Sequence, residues 1–385
     1  MCKIMFSAGE VSGDLHGARL AEAIKKRNPD AELIGFGGKT MAESGVRLVA
    51  NLADYSIMGV VEVILNLRRI FSLLDYLTGI MEKEKPDLLV LIDYPDFNWR
   101  LAKRAKKLGI PVFSYIPPSA WAWRKGRAKD CAQLADEFVA IFPFETKVYE
   151  DAGANISFVG NPLVDTVKSS LSKDEAREFF GIREGMYPIL LLPGSRKQEI
   201  ELLLPVMLEG AKGIKQEKPE AVFFLPVAQG INQERLSELI MKSGVSVQLT
   251  KEKTYDLMGV SRFALATSGT VVMEAALMEM PCIVLYRFNK LNYLIGKMLI
   301  DIDYFSLPNI LAGKGILPEL LQAEVNPERI LQEAKKYFEE DYIIRVKKEL
   351  RNVSALLGEP DAAGRVADRI LAATVKYRKT TGEAK

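Results

Sequence analysis

A carboxylate at the end of an apolar run is the first residue of this sequence that could do chemistry. Leu88 to Ile92 are consecutive apolar residues, which is typical of a strand buried on both faces of a parallel sheet, and Asp93 follows directly. Ligands of open α/β sheets bind beyond the carboxyl ends of the strands, where a partly desolvated carboxylate can act as a general acid or base. The alternative for Asp93 is a loop residue that only hydrogen-bonds the backbone. Asp96 is expected to cap the following helix.

A second candidate site combines a glycine, a helix start and an arginine. Gly194, Ser195 and Arg196 follow another apolar run and precede a predicted helix. The glycine lets the backbone approach a ligand, the helix N-terminus offers free N–H groups, and the arginine fork suits phosphate oxygens. The segment therefore predicts a phosphate site. The alternative is that Arg196 only pairs with Glu199 or Glu201.

A third segment repeats this pattern in the same half of the chain. Ser268, Gly269 and Thr270 lie between a predicted strand and a helix that carries Glu274 one turn in. A carboxylate at that place can accept two hydrogen bonds from vicinal hydroxyls, as on a ribose, although it could also serve only as a partner of the helix dipole. Two glycine-bearing helix starts in one domain favour a nucleoside diphosphate as the ligand.

Residues 57–80 form an apolar stretch with helical periodicity. One interpretation is a helix buried between the sheet and its neighbours. The other is an apolar surface that contacts a membrane or admits acyl chains, with Arg68 and Arg69 near lipid phosphates. The interspersed charges argue against a transmembrane helix. The helical stripe comprises Val60, Ile64, Leu67, Phe71 and Leu74.

An aromatic and basic segment follows another predicted strand. Trp121 and Trp123 are two residues apart, which suits an irregular loop, and Arg124, Lys125 and Arg127 come next. Aromatic rings can stack on a sugar while the cations hold a phosphate. The alternative is a pair of core tryptophans beside a solvated basic helix.

The elements that must position these residues alternate between strand and helix. This alternation predicts two doubly wound, Rossmann-like α/β domains with parallel sheets that face a cleft, over residues 1–165 and 166–341, followed by a helical segment from about 342 to 385. The predicted strands lie at 3–7, 32–36, 87–92, 111–116, 137–141 and 156–159, then at 188–192, 221–226, 245–249, 262–266 and 281–285.

Composition narrows the classes of function. The chain has 385 residues with an apolar fraction of 48% and a formal net charge of +2, which does not favour nucleic-acid binding. Three dispersed cysteines, a single histidine and the absence of a signal-peptide pattern predict a cytoplasmic protein without a disulfide framework or a histidine-rich metal site. No dinucleotide-binding glycine fingerprint is present, which argues against an NAD enzyme.

Seven segments in order resemble the lipid-A-disaccharide synthase family, whose members are inverting glycosyltransferases of the GT-B fold. Each motif alone is weak, but seven in the correct order over most of the chain are specific. They are GEVSGD at 9–14, MGVVE at 58–62, IDYPDFN at 92–98, PSAWAWR at 118–124, LPGSR at 192–196, SGT at 268–270 with Glu274, and SLPN at 306–309.

The resemblance implies an activity and roles for several residues. Family members transfer 2,3-diacylglucosamine from UDP-2,3-diacylglucosamine to lipid X, without a metal or other cofactor, on the cytoplasmic face of the inner membrane. By position, Asp93 becomes the general base, Glu10 a second carboxylate, and Arg196 the diphosphate ligand, while Ser12 lies on the acceptor side. Family members also tend to return C-terminal helices to the N-terminal domain, as a monomer or a homodimer.

One departure and two rival functions remain open. Asn161 stands where the family often has histidine, so any contact that needs an imidazole there is in doubt. A UDP-N-acetylglucosamine 2-epimerase would share the fold and the donor site but has no use for an apolar docking helix. A non-catalytic protein that binds a nucleotide-sugar or a lipid is the other rival.

Overall fold

The computed structural model describes residues 2–55, 67–118, 126–228, 230–287 and 303–382. The chain forms two compact units. The first comprises Met1–Pro162 together with Glu359–Lys385, and the second comprises Leu163–Gly358.

The first unit is built on a parallel sheet with the order β3-β2-β1-β4-β5-β6-β7. Its strands are β1 (Lys3–Ala8), β2 (Glu32–Gly37), β3 (Arg47–Asn51), β4 (Leu88–Ile92), β5 (Val112–Tyr115), β6 (Glu137–Ala140) and β7 (Ile156–Phe158). Its first helices are α1 (Val11–Arg27), α2 (Lys39–Glu43), α3 (Leu67–Glu84), α4 (Pro95–Lys107), α5 (Gly126–Ala132) and α6 (Pro143–Glu150).

Successive residues of the central strand β4 enter different apolar cores. Leu88, Val90 and Ile92 pack in a core that includes residues of α1, whereas Leu89 and Leu91 pack in a core that includes residues of α3 and α4. Each strand residue is therefore buried whichever face it points to, which explains why β4 is an uninterrupted apolar run.

The second unit repeats this architecture with the strand order β10-β9-β8-β11-β12-β13. Its strands are β8 (Tyr187–Leu192), β9 (Ala221–Pro226), β10 (Val247–Thr250), β11 (Phe263–Thr267), β12 (Cys282–Tyr286) and β13 (Glu319–Leu321). Its helices are α7 (Leu163–Thr166), α8 (Lys173–Phe179), α9 (Lys197–Glu217), α10 (Gln233–Ser243), α11 (Thr254–Val260), α12 (Thr270–Leu277), α13 (Leu307–Ala312), α14 (Pro327–Lys336) and α15 (Glu340–Ala355). Two parallel-sheet α/β units confirm the predicted fold class.

The last helix, α16 (Ala362–Gly382), belongs to the first unit. Val366 and Ile370 are fully buried in the core that also contains Leu20 and Ile24 of α1. The return of the chain thus falls at residue 359, and α15 stays in the second unit, although the sequence analysis places the start of the returning segment near 342.

Three details differ from the sequence-based expectations. The short strands β3 and β13 were not predicted. Asp96 was predicted to cap α4, and this is wrong, because α4 begins at Pro95 and its N-cap residue is Tyr94. Proline suits the first helical position, so Asp96 falls within the first turn.

Across the ranges that the structure describes, no helix is long and apolar enough to cross a bilayer.

Candidate functional site

The turn after β4 carries two consecutive residues in left-handed conformation. Asp93 has φ 50° and Tyr94 has φ 53°. Such a conformation costs on the order of 1–3 kcal/mol for each non-glycine residue and persists only where the surroundings enforce it. Asn98 supplies part of that enforcement, because its Nδ2 donates to the carbonyl of Asp93 at 2.6 Å while its Oδ1 accepts from Ser7 Oγ at 2.6 Å. The buried Asn98 therefore ties the Asp93 turn to the end of β1.

The Asp93 side chain is largely withdrawn from water. Burial raises the pKa of the Asp93 carboxyl, and a hydrogen bond from the backbone N–H of Tyr94 opposes that rise. A carboxyl at a strand end with a raised pKa has the properties of a candidate general base.

Glu10 lies in the turn that follows β1, the strand that pairs with β4, and Ser12 lies in the first turn of α1. The register sets Ala8 opposite Ile92, so the turn after β1 and the turn after β4 lie at the same edge of the sheet. Both Glu10 and Ser12 are exposed. Burial raises the pKa of Tyr94, and the negative charge of Glu10 adds to that rise.

Asp14, the last residue of the GEVSGD motif, has a structural role. Its carboxylate accepts hydrogen bonds from the N–H groups of Gly38, Thr40 and Met41 at 2.6, 3.0 and 3.1 Å. It thus satisfies the free N–H groups at the start of α2 from a neighbouring helix.

In the second unit, the loop between β8 and α9 requires glycine at position 194. Gly194 has φ 108°, and a Cβ there would lie 2.4 Å from Glu199 Oε2 and 3.2 Å from Thr267 Cγ2. Arg196 precedes the first residue of α9, its side chain is 83% exposed, and its Nη1 lies 3.1 Å from Glu199 Oε1. The ion pair considered from the sequence is therefore present, and it leaves the guanidinium at the surface.

The loop between β11 and α12 meets the same cavity. A cavity of about 420 Å³ is lined by both loops and by the first turn of α12. Seven residues singled out in the sequence border it: Gly194, Ser195, Arg196, Ser268, Gly269, Thr270 and Glu274. The fold of a single unit thus brings together side chains that are up to 80 positions apart in the chain.

Glu274 borders this cavity and a second one of about 510 Å³. Burial raises the pKa of its carboxyl. Within the described ranges, its side chain has no hydrogen bond or ion pair with another residue. Its acceptor oxygens are therefore available to a ligand in either cavity.

A half-buried carboxylate that the sequence analysis missed supports the loop at Ser268. Glu319 of β13 accepts hydrogen bonds from Ser306 Oγ at 2.7 Å, Asn309 Nδ2 at 2.8 Å and the N–H groups of Phe305 and Ser306 at 2.9 Å. The carbonyl of Phe305 in turn accepts from Ser268 Oγ at 3.1 Å. The SLPN motif was a visible signal, but its partner lies on a strand too short to recognise.

The predicted lipid-contacting stripe is divided in the structure. Leu74 is fully buried in the core, so it does not face solvent. Phe71 is 42% exposed, and the guanidinium of Arg100 lies 5.5 Å from its ring centroid. Arg68 and Arg69 are exposed. Ile64, Trp121, Trp123 and Arg124 lie outside the described residues, and of Leu67 only the backbone is described.

Comparison with known families agrees with the motifs. The family model described as Lipid-A-disaccharide synthetase matches residues 4–363. The chain belongs to the lipid-A-disaccharide synthase family. It is therefore a glycosyltransferase of lipid A biosynthesis, as the resemblance predicted.

Close relatives within the family extend over almost the whole chain. The lipid-A-disaccharide synthase of Syntrophus aciditrophicus is 44% identical over 94% of this chain and 96% of its own. That of Geobacter sulfurreducens is 39% identical over 96% of each chain.

Solved structures with little sequence identity share the fold. A UDP-GlcNAc 2-epimerase from Neisseria meningitidis bound to UDP-GlcNAc matches with a TM-score of 0.68 at 14% identity, over 96% of this chain and 100% of the other. MurG of Acinetobacter baumannii matches with a TM-score of 0.61 at 16% identity, over 96% of this chain and 98% of the other. The shared architecture is the GT-B fold predicted from the sequence.

Asn161, where the family often has histidine, is buried and bonded. Its Nδ2 donates to the carbonyl of Ile141 at 2.8 Å. The side-chain amide of Asn161 thus donates a hydrogen bond at this position. Asn161 lies next to Pro162, where the N-terminal segment of the first unit ends.

Proposed function

We propose that this enzyme transfers 2,3-diacylglucosamine from UDP-2,3-diacylglucosamine to the 6-hydroxyl of 2,3-diacylglucosamine 1-phosphate (lipid X). The products are the β-1,6-linked lipid A disaccharide 1-phosphate and UDP. The observation that carries the proposal is the half-buried Asp93 carboxyl, held in a left-handed turn at the end of β4, in a chain of this family.

Asp93 is the proposed general base. A sugar hydroxyl is a weak nucleophile at neutral pH, so a carboxylate within hydrogen-bond reach accelerates its attack by accepting the proton. As the new bond from the 6-oxygen to C1 forms, the bond from C1 to the diphosphate oxygen breaks, and UDP leaves with the electron pair. Attack from the face opposite UDP inverts the configuration at C1. Glu10 is proposed as a second carboxylate that orients the acceptor, with Ser12 beside it.

The second unit is proposed to hold the donor. Negative charge grows on the departing diphosphate, and the exposed guanidinium of Arg196 with the free N–H groups at the start of α9 and α12 can stabilise it. Ser268 and Thr270 add hydroxyl donors at the same cavity. Glu274, whose carboxylate has no partner among the described residues, is proposed to accept the two ribose hydroxyls.

The first unit is proposed to bind the acceptor and to contact the cytoplasmic face of the inner membrane. Phe71 offers an exposed aromatic ring, and Arg68 and Arg69 on the same helix suit lipid phosphates. Trp121, Trp123 and Arg124 stay candidates for the acceptor sugar and its phosphate.

The test is product formation by the purified protein. We expect wild type, incubated with UDP-2,3-diacylglucosamine and lipid X, to form a disaccharide 1-phosphate detectable by mass spectrometry, to the same extent with EDTA as without. Asp93→Asn should lose at least about 100-fold in kcat, the usual size of a general-base contribution, while it still binds UDP. Asp151→Asn, at an exposed carboxylate on the surface of the first unit, is the matched control and should be fully active.

Two outcomes would contradict the proposal. Unchanged turnover in Asp93→Asn would remove Asp93 from the mechanism. Conversion of UDP-N-acetylglucosamine to its C2 epimer, with no disaccharide formed, would instead assign the epimerase function that the shared fold allows.

A further inference from the structure

The ring of Tyr94 lies directly against the backbone of Gly9. A Cβ added to Gly9 would lie 2.0 Å from Tyr94 Cδ1, 2.4 Å from Cε1 and 2.5 Å from Cγ. These are ring atoms, so a methyl group at position 9 would force the ring to rotate out of its present packing. Gly9 is not among the residues with positive φ, which means that this contact, rather than backbone conformation, requires glycine there.

The half-buried ring also packs against an apolar core of the first unit. Its centroid lies 5.5 Å from that of Phe97, which in turn lies 5.7 Å from the ring of Phe36 in the core. Burial raises the pKa of Tyr94, and the negative charges of Glu10 and Asp96 add to that rise. Tyr94 is thus wedged between the turn that carries Glu10 and the first turn of α4.

A left-handed backbone is unfavourable for tyrosine, because its Cβ approaches the following carbonyl oxygen. The adjacent Asp93 has the same conformation, at a smaller cost because aspartate tolerates it better than tyrosine does. Packing of the Tyr94 ring against Gly9 and Phe97 offsets part of this strain, and the Asn98 amide fixes the Asp93 carbonyl. The conformation of Asp93 therefore depends on the ring.

We propose that Tyr94 is a positioning residue for transfer. Its ring locks the Gly9–Glu10 turn to the Asp93 turn, so that the carboxylates of Glu10 and Asp93 keep a fixed arrangement around the acceptor hydroxyl. The proposal rests on the function proposed above. It assigns the role to the ring and none to the phenol hydroxyl.

The test is a double-mutant cycle between Gly9 and Tyr94. Tyr94→Ala and Gly9→Ala should each lower kcat by about 10- to 100-fold, because a misplacement of about 1 Å has an effect of this size. The double variant should be no worse than the poorer single variant, since the clash requires both the added methyl and the ring. Tyr94→Phe should have a kcat within about threefold of that of wild type, because it keeps the aromatic ring to which the positioning role is assigned.

Two controls separate positioning from general damage. The Kd for UDP, measured by calorimetry, should stay unchanged in all these variants, because the proposed donor residues belong to the other unit. Gly213→Ala should leave kcat unchanged, since the nearest atom to a Cβ at Gly213 is Leu331 Cδ2 at 3.4 Å, an ordinary contact.

Each alternative result has a definite meaning. Additive losses in the double variant, loss of UDP binding in parallel with kcat, or a Tyr94→Phe variant as poor as Tyr94→Ala would each overturn the role of the ring. A wild-type protein that forms no disaccharide would overturn the proposed function and this inference together. The first three results leave the proposed function standing, so the two failures are distinguishable.

Discussion

Burial of Asp93 has a direct consequence for the pH dependence of the reaction. Burial raises the pKa of this carboxyl above the ordinary range of aspartate. A general base must be ionised, so we expect kcat/KM to fall as the pH drops through the raised pKa, with an acid limb at higher pH than an ordinary aspartate would give. The profile of kcat/KM between pH 4 and 8, with UDP binding as the reference at each pH, would measure this limb. An acid limb within the ordinary range would argue that another group limits the rate.

The same burial should make the wild type less stable than a neutral variant. Because the folded-state pKa is raised, the folded protein binds its proton more tightly than the unfolded chain, and stability falls as the pH rises through that interval. Asp93→Asn removes this half-buried charge, so we expect its free energy of unfolding to exceed that of wild type at pH 7.5. Below the ordinary pKa of aspartate the difference should vanish. Urea unfolding at both pH values measures it, and equal stability at pH 7.5 would contradict the assigned cause.

The proposed contact between Glu274 and the ribose can be tested by combining a substitution of Glu274 with a modified nucleotide. If its carboxylate accepts both ribose hydroxyls, Glu274→Gln should raise the Kd for UDP about tenfold, which corresponds to roughly 1.4 kcal/mol. Wild type should also bind 2′-deoxy-UDP more weakly than UDP, and the variant should discriminate much less. Glu217→Gln, at an exposed carboxylate paired with Lys335, is the control. Equal discrimination in wild type and Glu274→Gln would place the ribose elsewhere.

At the scale of elements, β13 is small but holds a cavity loop in place. Both carboxylate oxygens of Glu319 accept hydrogen bonds from N–H or hydroxyl groups. A glutamine there would turn its own NH₂ donor toward one of these donors. We expect Glu319→Gln to lower the free energy of unfolding by about 1–3 kcal/mol and to weaken UDP binding, because Ser268 is tied to the same segment. Urea unfolding and calorimetry measure the two effects. Glu324→Gln, at an exposed neighbouring carboxylate, should change neither; an unaffected UDP Kd in Glu319→Gln would show that the segment does not support the site.

The elements differ in how far their own sequence determines them. The buried strands were predictable because a strand covered on both faces is apolar throughout, as in β4 and β8. The glycine-bearing helix starts at Gly194 and Gly269 were predictable because a backbone turn and free N–H groups are local properties. By contrast, β3 has exposed ends and β13 has only three residues, so neither shows a clear pattern.

Parts of the candidate site depend on contacts between distant segments and leave no local signal. The roles of Asn98 and Glu319 follow from side-chain hydrogen bonds that cross between elements. Propensity even argues against the left-handed turn, above all at Tyr94, because tyrosine rarely adopts this conformation. The misplaced cap at Asp96 has the same origin, since a tyrosine in that conformation is not the expected start of a helix.

At the scale of the whole molecule, the last 27 residues complete a unit that the first 162 residues begin. Arg365 of α16 joins the two parts of the first unit. Its Nε donates to the carbonyl of Val159 at 2.6 Å, its Nη1 donates to that of Pro360 at 2.6 Å, and its Nη2 donates to that of Glu359. Gly160 makes room for this guanidinium, because a Cβ there would lie 2.6 Å from Nη2.

Arg365→Ala should therefore destabilise the first unit selectively. Three carbonyl groups lose a charged donor at once, so we expect the free energy of unfolding to fall by about 2–3 kcal/mol. Because α16 packs on α1, amide hydrogen exchange should accelerate in both helices while the strands of the second unit stay protected. Arg235→Ala, which removes only surface ion pairs with Glu201 and Glu238, should change stability by less than about 1 kcal/mol. Acceleration spread equally over both units would show that the returning helix stabilises the chain as a whole rather than the unit on which it packs.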